Sequence, residues 1–350
     1  MKDRYLPYLL ILPSVLFLLV FFGWPLLSAL VLAFREGEGV GLGNFRRMAQ
    51  DLYFGDALRN TLLLTAIVVP LQLALALAMG LLLERLGRGR DLFLYFWTVP
   101  LGISDLAAGI VWLSIFTERG YLNTLLHALG VLEEPVGWLT YEHPTALFLA
   151  VVAAEVWRAT PLVLVILVAG LQLIPRELHE AAEVFGATPW VRFRKVTLPL
   201  LKPSIQTALI LRTVLAFEVF AVVVALSGRN LPVLAGEAYF WYADYQNPGG
   251  GGLRRPHPPR LRGRHPLLPP GPPRPGGGVR MSRVWPWLLA LVFTFWVLLP
   301  IYLIALSAFA PREAVYAWPK ALWPREVSLD TLRFFFGVEG VWRATATSLA

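Results

Sequence analysis

Five charged side chains lie inside stretches that are otherwise long and apolar: Asp105, Glu155, Arg158, Arg212 and Glu218. A charge at the centre of a bilayer costs roughly 2.5–3.5 kcal/mol even on insertion scales, so none of the five is expected to face lipid. Two arrangements satisfy them. In one, Asp105 and Glu218 line a polar path, where carboxylates accept hydrogen bonds from a hydroxyl-bearing solute and Trp112 and Trp157 offer ring faces for stacking. In the other, the charges pair between helices or sit near the interfaces, as Glu155 and Arg158 can at their three-residue spacing, and the tryptophans form interfacial belts. No constellation for bond-making chemistry is present. His127, His143 and His179 stand apart, and His257 and His265 fall in a Gly/Pro/Arg-rich run. The chain has no cysteine, which removes thiolate metal sites, disulfides and cysteine nucleophiles. The glycine runs near 250 and 276 lack a following Gly-Lys-Ser/Thr, so no phosphate loop is formed. Neither a metal nor a cofactor is expected.

The elements that must position these groups are membrane helices. At 57% hydrophobic and 15% charged residues, with a mean hydropathy of +0.60, the 350-residue chain is too apolar for a soluble domain. The net charge of +8 is local: residues 249–280 contain seven Arg and no acid. The remainder is nearly balanced, which excludes a nucleic-acid surface. About 20 apolar residues span the hydrocarbon layer. Residues 5–34, 60–83 and 285–310 carry no charge; 92–116, 145–173 and 205–227 carry only the five above. That predicts an all-α polytopic bundle. Lys and Arg in alternate short loops (Lys2, Arg4; Arg85, Arg88, Arg90; Arg192, Arg194, Lys195, Lys202) place the N-terminus in the cytoplasm. The 118–145 loop, by contrast, holds Glu118, Glu133, Glu134 and Glu142.

One cytoplasmic loop has local order written into it. Pro175 can open a helix that Glu180, Ala181 and Ala182 continue, and Gly186 can close it in the left-handed conformation. Thr188 is then a cap with Pro189 behind it, and a second short helix runs toward Pro199. The product is a helix–turn–helix knob with small alanines on one flank, suited to close approach by another protein.

Glu180-Ala181-Ala182, Gly186, and Leu198-Pro199 twelve positions beyond it resemble the EAA loop of binding-protein-dependent ABC importer permeases. Phe185 departs from the Asp often found there; it either alters the partner contact or packs the turn. Trp157-Arg-Ala-Thr-Pro161, Ala169-Gly-Leu-Gln-Leu-Ile-Pro175, Leu42-Gly-Asn-Phe45, Ala57-Leu-Arg-Asn-Thr-Leu62 and Gly120-Tyr-Leu-Asn123 are similar to the sugar-type group, which handles maltose and glycerol phosphate. The resemblance covers about residues 5–248. It implies a type I importer core in a prokaryotic inner membrane, and no enzyme activity of its own. Its partners would be ABC ATPase subunits docked on the EAA loop, a second permease subunit and an extracytoplasmic solute-binding protein. An ion-coupled carrier would lack a use for that loop; a membrane scaffold for soluble partners would lack a use for the polar intramembrane residues.

Residues 249–280 interrupt this pattern: 25 of the 32 are Gly, Pro or Arg, which no membrane helix tolerates. Family members enter a further span here. A frameshift through a GC-rich stretch accounts for the run; a Pro-rich linker is the alternative. From Met281 the sequence restarts its own beginning. Pro300 and Phe309 bracket Ile-Tyr-Leu-Ile-Ala-Leu-Ser-Ala as Pro25 and Phe34 bracket Leu-Leu-Ser-Ala-Leu-Val-Leu-Ala. Residues 281–350 therefore read as the start of a second permease, fused to the first.

Overall fold

The computed structural model describes residues 6–36, 39–245, 284–323, 326–338 and 340–349. The 249–280 run and its two histidines lie outside them. The chain falls into two compact units, Met1–Arg59 and Asn60–Ala350.

The first unit begins with α1 (Leu6–Leu18), which passes through a π turn into α2 (Trp24–Phe34). A two-residue hairpin, β1 (Arg35–Glu36) with β2 (Gly39–Val40), leads to α3 (Gly43–Gln50). The last carbonyls of α2 have no helical partners of their own. The Asn44 amide meets this need by donating to the carbonyl oxygens of Leu32, Ala33 and Arg35 at 3.3, 3.2 and 2.9 Å. α4 (Phe54–Arg85) begins at the end of this unit and forms the first long span of the next.

In the second unit, α5 (Arg90–Thr98) and α6 (Asp105–Phe116) follow α4, then α7 (Tyr121–Ala128) and the long α8 (Pro144–Gln172). Next come α9 (Arg176–Val184), α10 (Pro189–Arg192) and α11 (Leu198–Phe217). The remaining helices are α12 (Ala221–Ser227), α13 (Leu234–Tyr245), α14 (Trp285–Ala308), α15 (Arg312–Tyr316), α16 (Asp330–Gly337) and α17 (Val341–Leu349). Among the described residues, five helical segments are long and apolar enough to cross a membrane: Tyr8–Phe34, Phe54–Arg85, Pro144–Gln172, Pro189–Phe217 and Trp285–Ala308.

Two expected spans take a different form. The 92–116 stretch is not one helix: α5 runs into a 3-10 turn over Val99–Gly102, and the chain bends by 99° before α6. Pro100 and Gly102 weaken the helix there, and Ser104 caps its successor, its hydroxyl accepting from the Ala107 N–H at 3.3 Å. The expected 205–227 span is shifted toward the N-terminus. Its helix is continuous over 189–217 and stops at Glu218, with α12 a separate short helix. No Pro or Gly marks that break; Val219 turns into the core formed with Trp112, Trp157, Val222 and Val223.

α8 is the centre of the unit, and α11 lies close against it. A Cβ on Gly170 would sit 2.2 Å from the Ser204 Oγ, so only glycine allows this crossing. α14 packs on α5, α6 and α8, burying Ala290, Val297, Pro300 and Leu303. Trp97 donates its indole N–H to the Thr294 hydroxyl (2.9 Å), and Trp157 to the Val297 carbonyl (2.9 Å).

Candidate functional site

The loop between α8 and α11 folds much as its residues dictate. Pro175 stands just ahead of α9 as its cap, one position earlier than expected. At the other end Gly186 adopts φ +75°, and two bonds close the helix: Gly186 N–H to the Glu183 carbonyl (2.8 Å) and Ala187 N–H to the Ala182 carbonyl (2.9 Å). That is a Schellman closure, which a residue with a side chain resists. Thr188 caps α10, its hydroxyl accepting from the Val191 N–H at 3.4 Å. Arg192 pairs with Glu183, tying the two arms of the knob together. The second arm does not stop at Pro199. A π turn over Phe193–Thr197 gives the proline's ring room, and the helix continues as α11. Leu198 is half-buried and Pro199 exposed on this rod.

Glu180 and Ala181 are exposed, and Ala182 is half-buried. Phe185 is 89% exposed and Val184 86%, so Phe185 does not pack the turn internally. Trp190 stands exposed on the second arm. The knob thus presents bare apolar side chains on a rigid turn, which on a soluble face marks an interaction surface.

Within the bundle, Asp105, Arg158, Arg212 and Glu218 line one cavity of about 260 Å³, together with Pro100 and Leu215 among others. Asp105 is the first residue of α6, where a carboxylate is favoured by the helix end. Arg158 donates to Asp105 at 2.7 Å and to Glu155 at 3.1 Å. Glu155 is 1% exposed and also accepts from Arg212 at 2.8 Å. Four of the five charges therefore pair between helices, and Glu218 is exposed at the cavity. Trp112 and Trp157 are in the core instead, their rings 6.1 Å apart and edge-on, and neither lines the cavity.

The family profile described as "Binding-protein-dependent transport system inner membrane component" matches residues 72–315. The chain belongs to this family. It is 34% identical over 235 residues to the trehalose/maltose transport system permease protein MalF of Thermococcus litoralis, covering 65% of this chain and 78% of that one. Against the trehalose transport system permease protein SugA of Mycobacterium tuberculosis, identity is 34% over 239 residues, 66% of this chain and 75% of the other. The sn-glycerol-3-phosphate permease UgpA of Agrobacterium fabrum is 30% identical over 235 residues, with 65% and 78% coverage. A bacterial ABC transporter that imports alginate shares the fold, with a TM-score of 0.60 at 23% identity over 70% of this chain and 86% of that chain. The protein is a multi-pass inner-membrane permease, a transport subunit of an ATP-driven importer with no enzymatic step of its own.

Some of this permease's ordering residues escape a search for charges. Gln72, fully buried in α4, accepts from Arg212 Nε at 2.6 Å and donates to the Glu155 carbonyl at 2.7 Å. Asn123, also fully buried, donates to the carbonyls of Glu118 (2.6 Å) and Val136 (2.7 Å) and accepts from the Trp138 indole (2.8 Å). Asn60 and Thr61 hold the 232–234 turn through the Pro232 carbonyl and the Leu234 N–H. Their signal was an amide or hydroxyl in an apolar run, where a polar group must find a partner.

Proposed function

We propose that this permease translocates a sugar or related polyol. External binding protein delivers the solute, and ATPase subunits drive the cycle through the 175–199 loop, with Glu180, Ala181, Ala182, Gly186, Leu198 and Pro199 forming the coupling element. The observation that carries this reading is the knob itself: a glycine-closed turn displaying Val184, Phe185 and Trp190 to solvent at the root of two spans. An ion-coupled carrier has no need for such a surface. The relatives named for trehalose, maltose and glycerol phosphate support the solute class. A second permease subunit completes the membrane part, and the basic loops put the N-terminus in the cytoplasm. On the solute path, Asp105 and Glu218 supply the hydroxyl-binding carboxylates. Trp112 and Trp157 act from behind the wall, by shaping it.

The restart of the N-terminal pattern after Met281 supports reading residues 281–350 as the start of a second permease. A second reading makes α14 a span of this subunit's own bundle; the profile match through residue 315 and the burial of α14 favour it. Co-expression of residues 1–248 with a separate chain from Met281 distinguishes the two. An active pair with its own second partner supports separate subunits, and activity only in the joined chain supports the single bundle.

The function is tested by uptake of radiolabelled trehalose and maltose into vesicles carrying the whole transporter. Uptake that needs ATP and is abolished by Gly186→Pro or Glu180→Lys is expected. Uptake driven by an ion gradient alone would contradict the proposal.

A further inference from the structure

The coupling knob and the intramembrane cavity stand at the two ends of one helix. From Pro189 to Phe217 the helix is unbroken, and the 20 residues between Arg192 and Arg212 span about 30 Å at 1.5 Å per residue. At the cytoplasmic end the Arg192–Glu183 pair fastens the rod to the knob. At the other end Arg212 enters the protein, 1% exposed.

Along the rod, contact with the bundle is a narrow stripe. Leu201, Ala208, Arg212 and Ala216 are buried, whereas Leu200, Ile210, Leu211 and Val214 are exposed. Midway, Ser204 rides against Gly170 with no room for a Cβ, a smooth crossing suited to a pivot. Among the described residues, Arg212 makes the rod's one ion pair with the bundle. Its guanidinium grips Glu155 on α8 and Gln72 on α4, and Gln72 in turn holds the Glu155 carbonyl. Glu155 also holds Arg158, and Arg158 reaches Asp105 on the cavity wall. The buried part of this chain is fully bonded; its last member, the Asp105 side chain, is 51% exposed.

We propose that Arg212 is the positioning residue that carries movement of the coupling loop to the cavity wall, because it is the point where a rod attached to the loop is bonded to the Glu155–Arg158–Asp105 series. This rests on the loop's role as the ATPase-coupling element. Arg212 lies at the cavity wall but is 1% exposed, and its assigned role is positioning. It acts through Glu155 and Arg158, so that a shift of the rod about the Gly170–Ser204 crossing repositions the Arg158 guanidinium against Asp105. Among the described residues, the rod's remaining interactions with the bundle are apolar contacts, which in lipid permit sliding more readily than a doubly bonded guanidinium does.

The chain's lack of cysteine allows a test that needs no known solute. Single cysteines are placed at Ala187 on the knob and at Leu162 on the α8 side of the cavity. Their rates of modification by a small thiol reagent are compared in vesicles holding the whole transporter, without nucleotide and trapped with ATP and vanadate. In the otherwise unaltered protein both rates are expected to change by about fivefold or more, the lower end of ordinary inter-site coupling. With Arg212→Met, the Ala187→Cys rate still responds and the Leu162→Cys rate does not. A full response at Leu162→Cys in Arg212→Met overturns the inference. If Arg212→Met fails to assemble, the double variant Arg212→Gln with Glu155→Gln decides: it removes the ion pair without leaving one buried charge unpaired, and a lost Leu162→Cys response supports the role while a full one refutes it. If Ala187→Cys is silent before any other substitution, the coupling reading of the loop fails first.

Discussion

Two apolar helices of near-identical character have opposite fates. The Tyr8–Phe34 segment and α14 have the same peak hydropathy of 2.5, and both lack charges. Both also carry the Pro-to-Phe frame described above. Yet within its own unit the first has none of its apolar window buried, whereas 22% of the α14 window is buried in the second unit. Hydropathy therefore selects the membrane but not the neighbour. Lipid chains are as apolar as leucine, so helix association depends on shape and on hydrogen bonds. α14 offers Thr294, the Val297 carbonyl and the Ser307 hydroxyl, which meet the indoles of Trp97 and Trp157 and the hydroxyl of Tyr121. Its Trp287 ring also lies against Gly89. Along Tyr8–Phe34 the polar side chains past Tyr8 are Ser14, Ser28 and the Trp24 indole, and the aromatic contacts are internal, such as Phe17 with Phe21 at 4.7 Å.

Substitutions of matched type sharpen the contrast. The largest effect is expected for Trp157→Ala, which empties a fully buried site beneath α14 and should cost about 3–5 kcal/mol. Trp24→Ala, at a residue 71% exposed, should leave the unfolding of the purified chain unchanged. Val297→Trp should come next. It overpacks the α14 seam at roughly 1–3 kcal/mol, and Val20→Trp should again be silent. The smallest effect is the Trp97–Thr294 hydrogen bond. A double-mutant cycle with Trp97→Phe and Thr294→Val should return about 0.6 kcal/mol, the average found for such bonds in membranes. Reversible unfolding in mixed micelles measures all three. Equal costs in the two helices would erase the distinction.

The same division governs what could be read from the sequence. The 175–199 loop was legible almost residue by residue, because Gly186, Thr188 and Pro189 act through local backbone chemistry. Even so, Pro199 misled: it marks a stop only where the preceding turn cannot widen, and here the π turn widens it. The bend before α6 had visible signals in Pro100, Gly102 and Ser104, hidden by an uninterrupted apolar run. The end of α11 at Glu218 had none, since its cause is the core that receives Val219. Pairing of Glu155 with Arg158 follows from helical spacing. Its pairing with Arg212, 57 residues away, required the fold. The aromatic pair Trp112 and Trp157 read as a path lining or an interfacial belt, and packing instead puts both in the core.

The central claim is that the 175–199 knob is where ATP hydrolysis is coupled to this permease. With no native cysteine in the chain, a single Ala187→Cys can be cross-linked to cysteines placed along the cleft of the ATPase subunit in the assembled transporter. The account predicts a specific cross-link whose yield changes when ATP is bound. An assembled, ATP-hydrolysing transporter in which Ala187→Cys never reaches the ATPase would contradict it.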